Sequence, residues 1–432
     1  MHHIKGTPRA GLYGATLGFF FGFASVALFG PTAGKFKVLM HLDPEQVGLL
    51  VAAPALSGSL LRIPFAAWVD TTGGRKPFLV LLYLSLAGML GLTLVANFLY
   101  PEHLTQSLYP LLLLLGALCG CGIATFSVGI GQVSYWFSME RQGKALGIYA
   151  GVGNLAPGIF SFLLPIALGG LGLGGSYLAW LIFLAFGTFL YFVYARNAPY
   201  FQLVEQGMST SEARQQAHEH GQQLLPAGSL KDSLMTSAKA WKTWLLVVMY
   251  FTTFGGFIAM TAWLPIYWST YLAASTVTAG LLTALYSILA SAIRIYGGVV
   301  ADKVGGENTA IGALLLMLAG AVLMSMSSSM ELSVAAEIMM AVGMGVGNAA
   351  VFKLVPQEVP HAVGGAAGWV GGLGAFGGFA IPPLLGVFVR NFGNSGYASG
   401  FLVFVALAGL AFVLAWVLKI TRGRFTQSSV SI

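Results

Sequence analysis

Two arginines lie within long apolar stretches of this sequence, where a charged side chain is costly unless it meets a counter-charge. Arg62 occurs in LLRIPFAAWVDTTGG, and Arg294 occurs in AIRIYGGVVADKVGG. Each arginine is followed eight residues later by an aspartate, Asp70 or Asp302, and then by a Gly-Gly pair. The repeated spacing indicates a chain of two homologous halves, each carrying one arginine in the corresponding place.

The chemistry that two such arginines could perform is the binding of a small anion. A guanidinium is planar, always charged and able to pair with two oxygens at once, so two of them suit a small planar oxyanion. All fourteen acidic residues fall in predicted loops, in a polar linker or near the ends of apolar stretches. We therefore interpret the missing counter-charge as the substrate rather than as a structural carboxylate.

Aromatic residues occur in the same apolar stretches. Tyr250 and Phe254 are four residues apart in VVMYFTTFGGF, and so lie on one face of a helix, while GIATF contributes Phe126. The pattern alone leaves two interpretations open, ordinary core packing or the walls of an anion site. The seven histidines fall at the termini, in loops or in the linker, so none of them is placed to carry a proton beside the arginines.

The composition places these residues in a polytopic membrane protein. The 432 residues are 57% hydrophobic and 8% charged, with a mean hydropathy of +0.80, whereas soluble domains carry about 25% charged residues. Cys119 and Cys121 are expected to be small packing residues, and no metal site is predicted. Apolar stretches long enough to cross a bilayer core of about 30 Å are predicted at 11–33, 47–70, 77–99, 108–134, 144–168, 174–195, 243–268, 276–301, 309–329, 332–355, 364–390 and 397–419.

The distribution of positive charge predicts the orientation. Of the 21 Lys and Arg residues, fifteen fall on the side of both termini and three on the other side. Lys and Arg accumulate in cytoplasmic loops, so both termini are predicted to be cytoplasmic, and the net charge of +7 needs no nucleic-acid partner. A cytoplasmic linker at 196–242 separates an N-terminal six-helix half at 1–195 from a C-terminal six-helix half at 243–432. Within the linker, the capping-box spacing of Ser209 and Glu212 predicts a short helix.

Several segments resemble those of known transporters. AAWVDTTGGRKP and GGVVADKVGG resemble the loop motif of the major facilitator superfamily, in which an acidic residue and its basic neighbours latch the cytoplasmic ends of helices. GIYAGVGNLAPG, GWVGGLGAFGGFAIPP and GVGNAAVFKLVP are similar to the glycine-rich signatures of its nitrate/nitrite porter family, and LLRIP and SAIRIYGG to that family's two arginine-bearing helices. The resemblance implies an all-α integral membrane protein with twelve transmembrane helices in two pseudo-symmetric six-helix halves, the major facilitator fold.

The resemblance also implies roles for individual residues. Together with the two arginines, it implies a substrate site of aromatic rings around the anion and one hydrogen-bond donor, formed by Arg62, Arg294, Tyr250, Phe254, Phe126, Asn154 and Phe29. The implied gating or packing glycines are Gly151, Gly153, Gly372 and Gly374. The implied cytoplasmic latch consists of Asp70, Arg75, Asp302 and Lys303.

The function that the resemblance implies is transport of nitrate and nitrite by alternating access, in assimilation or respiration. We expect exchange of one anion for the other, because no titratable group is seen beside the arginines. The alternatives are proton-coupled nitrate symport through a group that the pattern does not reveal, and transport of another small inorganic anion. No nucleophile, metal-ligand set or cofactor motif stands out, so neither an enzyme nor a cofactor is expected. We expect a monomer in the cytoplasmic (inner) membrane whose partners are small inorganic anions and the lipid bilayer.

Overall fold

The computed structural model describes residues 4–226 and 230–428, and their regular secondary structure is helical throughout. The N-terminal histidines His2 and His3 lie outside the described residues. The helices of the first half are α1 (Pro8–Phe23), α2 (Ala33–Met40), α3 (Pro44–Leu60), α4 (Arg62–Thr72), α5 (Arg75–Phe98), α6 (Tyr109–Trp136), α7 (Met139–Gly153) and α8 (Ala156–Tyr194).

Three short helices follow and lead into the second half. They are α9 (Pro199–Glu205), α10 (Thr210–Glu219) and α11 (Leu230–Lys239). The Oγ of Ser209 accepts a hydrogen bond from the backbone N–H of Glu212 at 3.3 Å, so the predicted capped helix is present as α10. The second half comprises α12 (Trp241–Tyr250), α13 (Gly256–Ile266), α14 (Thr276–Val304), α15 (Gly306–Met326), α16 (Met330–Glu358), α17 (Val363–Ala375), α18 (Gly377–Phe392), α19 (Gly396–Ser399) and α20 (Leu402–Ser428).

Eleven helical stretches of the described residues are long and apolar enough to cross a membrane, one fewer than the twelve predicted. The difference lies in Ala145–Tyr194, whose 50 residues form one stretch. Within it, Gly172 has a non-helical backbone with φ +66°. Gly153, before Gly172, lies against Phe19 of α1, and Gly187, after it, lies against Phe21. The segments before and after Gly172 therefore contact α1 at the same depth. The stretch therefore crosses twice, and the described residues make twelve crossings.

The repeated Gly-Gly pair ends both arginine-bearing segments. Gly73 follows α4 with φ +75°, and Gly305 follows α14 with φ +93°, a backbone conformation that residues with a side chain rarely adopt. A Cβ at Gly73 would also lie 2.5 Å from Cγ of Asn197. The pairs are thus helix stops, which explains why they keep a fixed distance from Arg62 and Arg294.

The two halves pack closely at the end of the bundle that carries Arg390, here named the Arg390 end. A Cβ added to Gly48 of α3 would come within 2.4 Å of the carbonyl oxygen of Pro382 in α18. A Cβ added to Gly30 would likewise come within 2.7 Å of the carbonyl oxygen of Ala262. Arg390 forms a 2.9 Å ion pair with Glu45 across the two halves. Because glycines face the opposite backbone at these points, the halves close tightly at this end.

Candidate functional site

Arg62 opens α4 directly after a break in the helix at Leu61, and its side chain is completely buried, with 0% exposure. Its Nε donates a hydrogen bond to the carbonyl oxygen of Gly58 at 3.1 Å. Its Nη1 donates to the carbonyl oxygen of Gly371 in the other half at 3.2 Å, while Nη2 is buried without a partner. Arg62 thus reaches across the interface between the halves and keeps one unused donor group.

Arg294 approaches the same place from α14 of the second half. Its Nη1 is also buried without a hydrogen-bond partner. The two guanidiniums are close enough to repel each other, and both interact electrostatically with Tyr250. Among the described residues, the ion pairs join Lys242 to Glu358, Lys353 to Asp302 and Arg390 to Glu45. Arg62 and Arg294, here named the central arginines, have no carboxylate partner among the described residues.

Phe254 contacts both arginines. Its ring centroid is 5.1 Å from Cζ of Arg62 and 5.8 Å from Cζ of Arg294, so both cations contact the same ring. Phe126 lies 4.9 Å from Cζ of Arg62 and 6.2 Å from Phe254. Tyr250 stacks on Phe254 with a centroid distance of 4.9 Å and an interplanar angle of 11°. The structure therefore brings the ring of Phe254 together with four other predicted substrate-site residues, Arg62, Arg294, Phe126 and Tyr250.

A π-helical turn positions the rings of the second half. The residues between α12 and α13, Phe251–Gly255, form this turn, and it contains Phe254. Such turns widen a helix locally and often occur at functional sites. On the other side of the turn, Gly374 lies directly against Tyr250, so no side chain separates α17 from that ring.

Phe29 is not part of this cluster. It is buried, but it packs against Gly116 and makes an edge contact with Phe36 at 5.9 Å. A 3-10 turn follows α1 and displaces Phe29 from the rings around the arginines. Phe23, six residues earlier, instead stacks on Phe254 at 6.4 Å with an interplanar angle of 4°. Nothing in the sequence distinguishes Phe23 from its neighbours.

Asn154 lines a narrow cleft beside Arg294 and Phe254. Asn348 of α16 lines the cleft from the other half, and the side-chain oxygens of both asparagines are buried without partners. Asn348 was not predicted from the sequence, although GVGN occurs twice, ending at Asn154 and at Asn348. Phe352, 5.7 Å from Cζ of Arg294, was also missed.

Three of the four predicted gating or packing glycines are sites of close packing. Gly153 lies against Phe19, Gly372 against Ile63 of the other half, and Gly374 against Tyr250. The closest group to Gly151 is Cδ1 of Ile295, at an ordinary 3.7 Å. Gly151 thus has room for a side chain, and the other three do not.

The residues of the predicted latch bond within their own halves. The hydroxyl of Tyr135 donates to Asp70 at 2.6 Å, and Lys353 pairs with Asp302 at 2.6 Å. Arg75 donates from Nε to the carbonyl oxygen of Ala195 at 3.0 Å. The remaining member, Lys303, is exposed. In this conformation these contacts fasten helices inside each half.

The family follows from comparison with known proteins. The family model of the Major Facilitator Superfamily matches residues 15–308 and 246–429. The chain belongs to the major facilitator superfamily. It is 30% identical to a probable nitrate/nitrite antiporter NarK1 of Thermus thermophilus, over 86% of this chain and 83% of that protein. A probable nitrate transporter NarT of Staphylococcus epidermidis is 28% identical over 95% of both chains. The predicted resemblance to the nitrate/nitrite porter family of this superfamily is confirmed.

The superfamily fold is also evident from solved structures. The partially occluded, inward-open xylose transporter XylE from E. coli superimposes with a TM-score of 0.71. That comparison covers 95% of this chain and 98% of XylE at 15% identity, and at that identity it shows the fold alone. The all-α fold of two six-helix halves is therefore confirmed.

One acidic residue of this major facilitator protein departs from the sequence prediction. Glu337 was placed near the end of a span, but its side chain has 0% exposure, and neither carboxylate oxygen has a hydrogen-bond partner. It is seven residues beyond the start of α16 at Met330, or about 10 Å along the helix. Tyr267 and Tyr286 interact with it electrostatically. Sequence position alone could not reveal this burial, because neighbouring helices cover the residue.

Proposed function

We propose that this protein is a secondary transporter that exchanges nitrate for nitrite by alternating access. The observation that carries the proposal is the pair of guanidiniums, one from each half, that contact the same ring of Phe254. Arg62 and Arg294 each retain a buried nitrogen without a partner, and no carboxylate of the described residues neutralises them. A small anion would supply both the missing acceptors and the missing charge.

The energetics favour an anion between the arginines. At an effective dielectric constant near 20, a unit charge about 4 Å from each guanidinium gains roughly 4 kcal/mol per arginine before desolvation is subtracted. A buried donor left without an acceptor costs about 1–3 kcal/mol, which a bound oxyanion would remove. The flat rings of Phe254 and Phe126 favour a planar anion, and the names of the relatives favour nitrate and nitrite among planar anions.

The remaining predicted features belong to the same proposal. We place 1–195 and 243–432 as the two moving halves, 196–242 as the cytoplasmic linker, and both termini in the cytoplasm. The end of the bundle that carries Arg75 would then be cytoplasmic and the Arg390 end external. We propose a monomer in the cytoplasmic membrane that acts as a carrier and not as an enzyme.

The proposed substrate is tested by competition in liposomes that contain the purified protein. Vesicles loaded with nitrite should take up isotopically labelled nitrate, and external nitrite should compete with it, whereas tetrahedral sulfate should not. Vesicles without protein give the background. Equal competition by sulfate would contradict a planar-anion site and leave the carrier with another small-anion substrate.

Replacement of Phe254 by alanine is expected to weaken nitrate binding about tenfold, because two cation–π contacts worth roughly 0.5–1 kcal/mol each and one wall of the site are lost. Bulkier oxyanions should then compete more strongly. The matched control is Phe29→Ala, an equally buried ring outside the cluster, which should retain the wild-type selectivity. If the two variants select anions alike, Phe254 is a packing residue.

The second candidate function, proton-coupled nitrate symport, is favoured by Glu337. An uncompensated buried carboxylate costs several kcal/mol, so a proton that reached this group would remove that cost. It lies toward the Arg390 end of α16, where opening of the halves would admit water. It is therefore the described carboxyl group best placed to bind a proton from that side.

Glu337→Gln is expected to leave nitrate/nitrite exchange within about twofold of wild type, because glutamine resembles the protonated acid in shape and has no charge to bury. The matched control is Glu331→Gln, an exposed residue in the first turn of the same helix. Exchange is measured with nitrite inside, and proton coupling with nitrite-free vesicles and an imposed pH gradient. If the gradient drives uptake by wild type but not by Glu337→Gln, symport replaces exchange.

A further inference from the structure

A pocket of about 840 Å³ lies at the Arg75 end of the first half and shares no residue with the predicted substrate site. It forms where the start of α5, the end of α8 and the start of the linker meet. Its basic lining residues are Lys5, Arg75, Lys76 and Arg196, and its acidic residue is Glu205. Four positive side chains against one negative side chain leave a net charge of +3.

The two guanidiniums of this pocket are held in place by the end of α8. Nη2 of Arg75 donates to the carbonyl oxygen of Phe192 at 2.9 Å, and Nη1 of Arg196 donates to the carbonyl oxygens of Phe192 and Ala195 at 3.1 and 3.0 Å. These bonds orient both groups but do not neutralise them. Among the described residues, none of the four basic side chains forms an ion pair. The pocket therefore presents a net positive charge, and its two guanidiniums are held in place.

The floor of the pocket is apolar and continues into the membrane-facing surface of α5. Leu79, Val80 and Tyr83 line it, and Tyr83 is 51% exposed. Tyr83 follows Arg75 by eight residues, which places it about 12 Å deeper along the helix. A free inorganic anion would gain nothing from this apolar surface. A molecule with an anionic head and an apolar tail matches both parts of the pocket.

We infer that this pocket binds an anionic phospholipid. The phosphate lies among the four basic side chains, and an acyl chain follows α5 past Tyr83. Basic pockets between transmembrane helices on the cytoplasmic side bind such headgroups, and the anionic leaflet supplies them. The inference goes beyond anion transport, since it holds whichever anion occupies the central site.

A lipid at this place would act on the loop between α4 and α5. Asn197, which also lines the pocket, accepts a hydrogen bond from the backbone N–H of Arg75 at 2.9 Å and donates to the carbonyl oxygen of Thr72 at 3.0 Å. That loop ends the helix that carries Arg62. Bound lipid therefore stabilises the contact between the arginine-bearing helix and the start of the linker.

The test is lipid binding by the full-length protein in detergent, measured by native mass spectrometry with dioleoylphosphatidylglycerol. Lys5→Gln combined with Lys76→Gln removes two exposed charges of the pocket and leaves the helix-capping arginines in place. The matched control combines Lys231→Gln and Lys239→Gln, which removes two exposed linker charges outside the pocket. We expect the pocket variant to bind the lipid about tenfold more weakly or worse, and the control variant to bind like wild type.

A second arm distinguishes a lipid from a free anion. Phosphatidylglycerol should raise the melting temperature of the wild type, and inorganic phosphate and zwitterionic phosphatidylcholine should not. Equal lipid binding by the pocket variant and the wild type would overturn the inference. Equal thermal protection by inorganic phosphate would overturn it as well, because the pocket would then be a site for a free anion.

Discussion

Replacing Arg62 or Arg294 with lysine is expected to reduce nitrate transport by about thirtyfold or more, although lysine keeps the charge. Arg62 uses Nε and Nη1 to bond the carbonyl oxygens of Gly58 and Gly371 and still has Nη2 unused. Lysine has one nitrogen and cannot bridge these carbonyls and hold an anion in the same geometry. Loss of a hydrogen bond to a charged group costs about 1.5–3 kcal/mol, which corresponds to the expected reduction.

The measurement is labelled-nitrate uptake into nitrite-loaded vesicles that contain equal amounts of folded protein. Arg390→Lys is the matched control, since Arg390 is half-exposed and pairs with Glu45 at the surface, and its transport should change little. Near-normal exchange by either central variant would mean that the two guanidiniums do not grip the anion.

Vesicles that contain no internal substrate are expected to take up almost no nitrate. Closing both ends of the bundle around an empty site would confine two like charges that already repel each other, Arg62 and Arg294, without a counter-ion. An uncompensated buried charge costs several kcal/mol, and about 5.5 kcal/mol is enough to change a ratio of 99:1 to 1:99. A bound anion removes most of that cost, so only the loaded carrier passes through the closed state.

This is measured by comparing labelled-nitrate uptake into nitrite-loaded vesicles and into substrate-free vesicles at the same external nitrate concentration. We expect loaded vesicles to accumulate label at least tenfold faster. This corresponds to a difference of about 1.4 kcal/mol in the activation free energy of transport. Internal sulfate serves as the control for ionic strength and should not support uptake. If substrate-free vesicles with an alkaline interior take up nitrate as fast as loaded ones, exchange is the wrong mode.

The sequence was most informative where chemistry and spacing coincide. A charged residue in an apolar stretch is conspicuous, and its recurrence at equal distance from an aspartate and a Gly-Gly pair identified Arg62 and Arg294 as counterparts. Tyr250 and Phe254 were found because a four-residue spacing places them on one face of a helix, and their rings are stacked in the structure. These features depend on local geometry, which the sequence encodes directly.

The features that could not be predicted from the sequence depend on contacts between distant segments. Phe23 and Phe29 are both phenylalanines of the first span, and only the packed structure shows that Phe23 reaches Phe254. Glu337 is near a helix end by count, yet neighbouring helices bury it completely. The partner of Asp302 is Lys353, 51 residues further along the chain, and no local pattern joins the two. Such pairings become visible only once the helices are assembled.

The glycine contacts at the Arg390 end affect the entropy of the transport cycle. Gly48 and Gly30 meet the backbone of the other half without a side chain of their own. A long side chain ordered by closure loses up to about 2 kcal/mol of conformational freedom, whereas glycine has no rotamers to lose. The Arg390 end, with glycine at these contacts, therefore closes without that entropic penalty. Its open and closed forms can stay close in free energy, so the charge state of the central site decides which form is occupied.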